Sequence, residues 1–142
     1  MTILPTRQIA SLALSGADEL AQLSIAEAAK RGASICVAVV DVAGHLMAFR
    51  RMDEAGLVSI DVAIGKARTA AFLKKPASVF EQMIDAGKPS MLSVPGAVPL
   101  AGGQPVQFEG AIVGAIGISG STGDGDDAIA QAVTSAFGRT SA

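Results

Sequence analysis

Residues Ile35 to Val40 read ICVAVV, an apolar run with no alternation. Successive side chains of a β-strand point to opposite faces of its sheet, so a strand apolar at every position needs cover on both faces. Asp41 interrupts the run, and Val42-Ala43-Gly44-His45 makes a turn. A second apolar run follows from Leu46 to Phe49 and ends in Arg50, Arg51, Met52 and Asp53. The pattern predicts a hairpin whose first strand lies inside the sheet rather than at its edge. Charged or titratable groups stand at the ends of this hairpin: Asp41, His45 and the Arg51/Asp53 pair.

A second hairpin repeats the constraint. Gln104 to Glu109 reads as a strand, Gly110 as its turn, and Ala111 to Ser119 as a strand that is again apolar throughout. Gly114 and Gly117 within it mark places of close backbone approach. The remaining chain supplies the cover. Residues 6–31 read as a helix entered through Pro5, with Ile9, Leu12, Ala13, Gly16, Leu20, Leu23 and Ala26 on one stripe and Gly32 as its stop. Ser59 or Asp61 opens a second helix that runs to Leu73. Ala63, Ala67, Ala70 and Ala71 let it approach the sheet closely. Ser78-Val79-Phe80-Glu81 has a capping-box pattern and predicts a short third helix to about Ala86. The chain from Gly87 to Pro105 is rich in Gly, Pro and Ser and reads as a long loop, with a short strand around Val98 to Ala101. Asp127 to Phe137 is the last helix. The order α-β-β-α-α-β-β-β-α, with tight turns between consecutive strands, excludes a doubly wound parallel fold. It predicts a three-layer α/β/α sandwich on an antiparallel sheet, the terminal helices sharing one face.

At 142 residues the chain is one domain by length, residues 1–142. Half of its residues are hydrophobic while aromatics make up 4%. Packing therefore rests on Ala, Val, Ile and Leu. A mean hydropathy of +0.47 with 17% charged residues leaves more apolar surface than a small monomer hides, so a homo-oligomer is expected. No run of about 18 apolar residues is present, and a membrane span is not expected. The net charge of -2 and the lack of basic runs argue against nucleic acid as a partner. The single cysteine, Cys36, sits in the buried strand, where it reads as a small core residue and can build neither a disulfide nor a zinc cluster. Met1 to Arg7 lacks the apolar core of a signal peptide, and a cytoplasmic protein is the expectation.

Few groups are placed to carry chemistry. Gly120 to Asp126 resembles a phosphate loop, but it lacks the Walker lysine. Its acids Asp124, Asp126 and Asp127 serve a helix N-terminus better than they serve a phosphate. His45 is the only histidine, which excludes a multi-histidine metal site; no metal is expected. Asp41 reads equally as a turn cap and as a functional carboxylate. Lys66 falls among small apolar neighbours on a packed helix face, where an ammonium needs a carboxylate, a ligand or solvent. Arg51 and Asp53 could supply a partner.

The segments Val39-Val40-Asp41-x-x-Gly44-His45-Leu46, Arg51-Met52-Asp53, Lys66-Ala67-x-Thr69-Ala70-Ala71, Gly102-Gly103-x-Pro105-Val106 and Gly114-Ala115-Ile116-Gly117-Ile118-Ser119-Gly120 stand in the order characteristic of one family. On these the chain resembles the GlcG/HbpS family, also called the haem-degrading domain and similar to the C-terminal domain of PduO-type adenosyltransferases. The likeness runs from about residue 8 to 138. It implies an α/β/α sandwich with a central five-stranded antiparallel sheet, assembled into compact oligomers, often octamers. It also implies a small-molecule ligand, since some relatives bind haem while others sit beside glycolate or diol catabolism. In the PduO-type domain a first-helix histidine ligates iron, and residues 6–31 here contain none.

Two functional expectations follow. In the first, a haem-type tetrapyrrole is the cofactor, with His45, methionines and hydroxyls as the available ligands. In the second, the chain is a catabolic enzyme (isomerase, tautomerase, hydrolase or deaminase) acting on a small carboxylate or oxo-acid. There Arg51 grips the carboxylate, Gly102 and Gly103 offer backbone donors, Lys66 or Asp41 moves a proton, and Asp53 orients Arg51 or Lys66. The site is expected between the end of the first hairpin, the Ser59–Leu73 helix and the Ser90–Gly103 loop, completed by a neighbouring subunit.

Overall fold

A computed structural model describes residues 3–138. The chain forms α1 (Leu14–Lys30), β1 (Cys36–Asp41), β2 (Leu46–Arg51), α2 (Ser59–Leu73), α3 (Ser78–Asp85), β3 (Gly103–Phe108), β4 (Ala111–Ser119) and α4 (Gly123–Ala136), with a short 3-10 turn at Pro89–Ser93 before β3. The strands make one open antiparallel sheet in the order β2-β1-β4-β3. As the apolar runs require, β1 and β4 take the two inner positions. β2 lies at an edge, and its Leu46, Arg50 and Arg51 are exposed.

Alternate residues of β1 enter two separate hydrophobic clusters. Ile35, Val37 and Val39 pack with Ile116 and Ile118 of β4, with Ala17, Leu20 and Ala21 of α1, and with Ile129 and Val133 of α4. Cys36, Ala38 and Val40 pack with Ala63, Ala67, Ala70 and Ala71 of α2. The alanine face brings the backbone of α2 onto the sheet. A Cβ at Gly117 would collide with the carbonyl of Ala63 and lie 2.6 Å from the nitrogen of Ala67. Only glycine allows that approach.

Four expectations change. The sheet has four strands among the described residues, not five. The segment expected as a short strand, Val98 to Ala101, has its backbone donors engaged locally: Val98 N–H donates to Thr69 Oγ1 (2.8 Å), Leu100 N–H to the Val98 carbonyl (2.9 Å) and Ala101 N–H to Glu81 Oε2 (3.1 Å). No ladder can form from a segment so engaged. The first helix starts at Leu14, not near residue 6. The preceding stretch is tied down instead: Leu12 N–H donates to the Val113 carbonyl (3.0 Å), and Ser11 Oγ accepts from Val42 N–H (3.1 Å). Helix α3 has no side-chain cap, because its N-cap position falls on Ala77 rather than Ser78, and Glu81 reaches the 101 loop instead. Helix α4 begins four residues early, at Gly123, where the Thr122 side chain accepts from Gly125 N–H (3.0 Å).

Candidate functional site

Lys66 is fixed by the packing of α2. Its side chain is 3% exposed, and its ammonium donates to the Ile118 carbonyl (2.9 Å) and to Asp126 Oδ2 (3.1 Å). Asp126, equally buried, accepts from Ser121 N–H on its other oxygen (2.9 Å). One ion pair thus joins α2, the end of β4 and the first turn of α4. Gly102 and Gly103 lie against it. A Cβ at Gly102 would sit 2.8 Å from the Lys66 ammonium and 2.5 Å from the Ile118 carbonyl, in a backbone at φ +124° that side chains rarely adopt. A Cβ at Gly103 would strike the Lys66 carbonyl. These glycines exist to let the chain pass over the lysine. Above the pair opens a cleft of about 600 Å³, walled by Val58, by Ser59 and Val62 of α2, Glu81 of α3, Leu100 and Ala101, Ser119 of β4, and the Gly120–Gly123 turn.

The other expected site residues lie elsewhere. Arg51 and Asp53 border a separate shallow depression with Ile25, Arg50 and Met52. Cys36 pairs with Arg51 on one side and Ser119 on the other, so Arg51 stands two strand spacings, about 10 Å, across the sheet from the cleft. Asp41 and His45 are at the far end of the hairpin. Asp41 Oδ1 accepts from Ala43 N–H (2.9 Å) and His45 N–H (3.0 Å), the turn-capping role. The carboxylate-acting enzyme needs a free Lys66 beside Arg51. The lysine is sealed in an ion pair and Arg51 is outside the cleft, so that reading is not carried forward. Asp126, Glu81, Ser59 and Ser119 were not picked out as cleft residues. Asp126 read as a helix cap and Glu81 as part of a capping box, and no spacing in the chain links any of them to Lys66.

For an iron-bearing macrocycle the donor set is narrow. Burial pushes the Cys36 thiol upward from 9.0, against a smaller opposing pull from Arg51, so a thiolate is not offered. Met52 Sδ already accepts from Ile35 N–H (3.3 Å). His45 is presented outward, its side chain 79% exposed, with Nδ1 3.8 Å from Asp41 Oδ2. Turning Nδ1 toward a carboxylate leaves Nε2 for a ligand. The Phe72 ring fills the space a side chain at Gly44 would need, Leu46 pairs with Val40 on the α2 side of the sheet, and the Arg68 guanidinium stands 5.6 Å from the Phe72 centroid. Imidazole, apolar surface and guanidinium together fit a haem-type ligand. Among the described residues no group of three or more His, Cys, Asp or Glu is placed to hold a bare metal ion.

This is an α/β protein on one open antiparallel sheet, with a polar-floored cleft at one end and a histidine-bearing turn at the other. The family model described as haem degrading protein HbpS-like matches residues 12–135. The chain belongs to that family. The protein GlcG of Escherichia coli (strain K12) is 33% identical over 117 residues, covering 82% of each chain. A double-mutant HbpS of Streptomyces reticuli superposes with a TM-score of 0.83 at 34% identity, covering 97% of this chain and 98% of that one. The structure of a PduOC:heme complex superposes with a TM-score of 0.79 at 27% identity, covering 89% and 94%.

Proposed function

We propose that this chain is a small-molecule-binding protein whose ligand is a haem-type tetrapyrrole, held at the first hairpin turn. The observation that carries the reading is the likeness in sequence and fold to a protein solved as a heme complex. His45 would take the iron through Nε2, Phe72 and Leu46 would cover one edge of the ring, and Arg68 would meet a carboxylate of the ligand. A bound haem would supply a redox-active iron. The same reading takes the molecule as a single three-layer α/β/α domain, supported by the two clusters that flank β1. It also takes the working form as a homo-oligomer, for which the resemblance implies an octamer. Titrating haemin into the protein tests the ligand. A saturable, red-shifted Soret band in the wild type that is lost in His45→Ala is the expected result. No shift removes the haem reading, and a shift that His45→Ala leaves intact removes His45 as the ligand.

A further inference from the structure

We propose that the cleft above Lys66 and Asp126 is a second binding site, for a small neutral molecule carrying several hydroxyl or carbonyl oxygens. Three features of the cleft converge on that chemistry. First, Ser59 and Ser119 line it with side chains 4% and 6% exposed. Neither hydroxyl hydrogen-bonds to another described residue, and neither is closed off entirely from open space. Two hydroxyls with their only open side toward one cleft offer donors and acceptors to an oxygen-bearing guest. Second, an ammonium has three N–H donors, and Ile118 and Asp126 take two. No described residue accepts the third, and Lys66 lines the cleft.

The third feature is charge. Lys66 and Asp126 neutralise each other, so the carboxylate of Glu81 is left without a cation among the described lining residues. Arg51, the cation a carboxylate ligand would need, borders another depression. The lining thus carries one carboxylate in excess, which favours a neutral guest over an anion, while the donors of the floor prefer oxygen to an ammonium group. Val58, Val62 and Leu100 give the walls an apolar part that suits a short carbon skeleton. The volume of about 600 Å³ is in the range of small-molecule sites.

The test is an amide-resolved NMR titration with a matched panel: glycerol and erythritol as neutral polyols, glycerate as the anion, serinol as the cation. Saturable shifts at Ala101 and Ser121, whose amides border the cleft, are expected with the polyols. Glycerate and serinol should need about ten-fold higher concentration. The variant Ser59→Ala/Ser119→Ala, which removes two small groups without opening a cavity, should weaken polyol binding about ten-fold with an unchanged fold by circular dichroism. Glu81→Gln, which keeps an acceptor for Ala101, should narrow the gap between glycerate and glycerol. Absence of a localised polyol response, tighter binding of glycerate or serinol, or a double serine variant that binds like wild type overturns the proposal. None of these readouts depends on haem.

Discussion

Lys66 ties together three elements, α2, the end of β4 and the first turn of α4. A lone ammonium among alanines would be strongly unfavourable to bury, and the structure offsets this with one carboxylate and one carbonyl. Removing a single partner leaves the other charge buried without compensation. Lys66→Met and Asp126→Asn are each expected to lose about 3–5 kcal/mol of unfolding free energy in urea titrations. The double variant should lose less than the sum of the two, because no orphan charge remains. Additive losses would show that the two groups do not act as a pair. Cys36 illustrates the opposite outcome at residue scale. It lies on the same buried face and keeps its proton, and its role is volume.

At the scale of elements, the helix ends decide where polar groups go. The start of α4 is capped by Thr122, which frees Asp126 from capping and lets both of its oxygens serve the turn and Lys66. Thr122→Ala is expected to reduce stability by about 1 kcal/mol, read from the urea midpoint at unchanged slope. A loss near zero would mean that the acids of the first turn cap the helix unaided. In α3 the N-cap position is Ala77, which has no acceptor, and Glu81 holds the 101 loop beside the cleft. At the other end of the chain, residues before Leu14 abandon helix for a contact with β4. Gly16 has Leu12 and Phe137 within 4 Å of where its Cβ would be, which seats that crossing.

For the whole molecule, the distribution of exposed apolar side chains bears on assembly. Leu57 and Val58 are 74% and 76% exposed just before α2, and Leu92 is 62% exposed on the loop after α3. Val58 and Leu100 also line the cleft, so a neighbouring copy that covered Val58 would reach it. Light scattering behind size exclusion should return a multiple of 14.2 kDa, and Val58→Glu should shift it toward one copy. A wild-type mass of one copy at micromolar concentration overturns the oligomer. Among the described residues no helix is long and apolar enough to cross a membrane.

Unbroken apolar runs mark β1 and β4 as inner strands, alanine spacing marks the face of α2, and tight turns exclude a parallel sheet. All of this is local, because burial on two faces and helical periodicity leave their trace within a few neighbouring residues. A lysine among alanines and a glycine pair are each conspicuous in the chain, and the structure sets Gly102 and Gly103 against Lys66. The rest belongs to tertiary structure. Leu12 lies on the helical stripe expected of residues 6–31, but its amide donates to the Val113 carbonyl of β4, and the segment from Val98 loses its strand to the hydrogen bonds that Val98 and Ala101 donate to Thr69 and Glu81. Asp126 joins Lys66 from 60 positions away. Arg51, at the end of the same strand pair that the motifs single out, is carried away from the cleft by sheet order alone. Such pairings are chosen by which strands and helices meet, and a charge that must find its partner across the fold leaves no periodic signal in the chain.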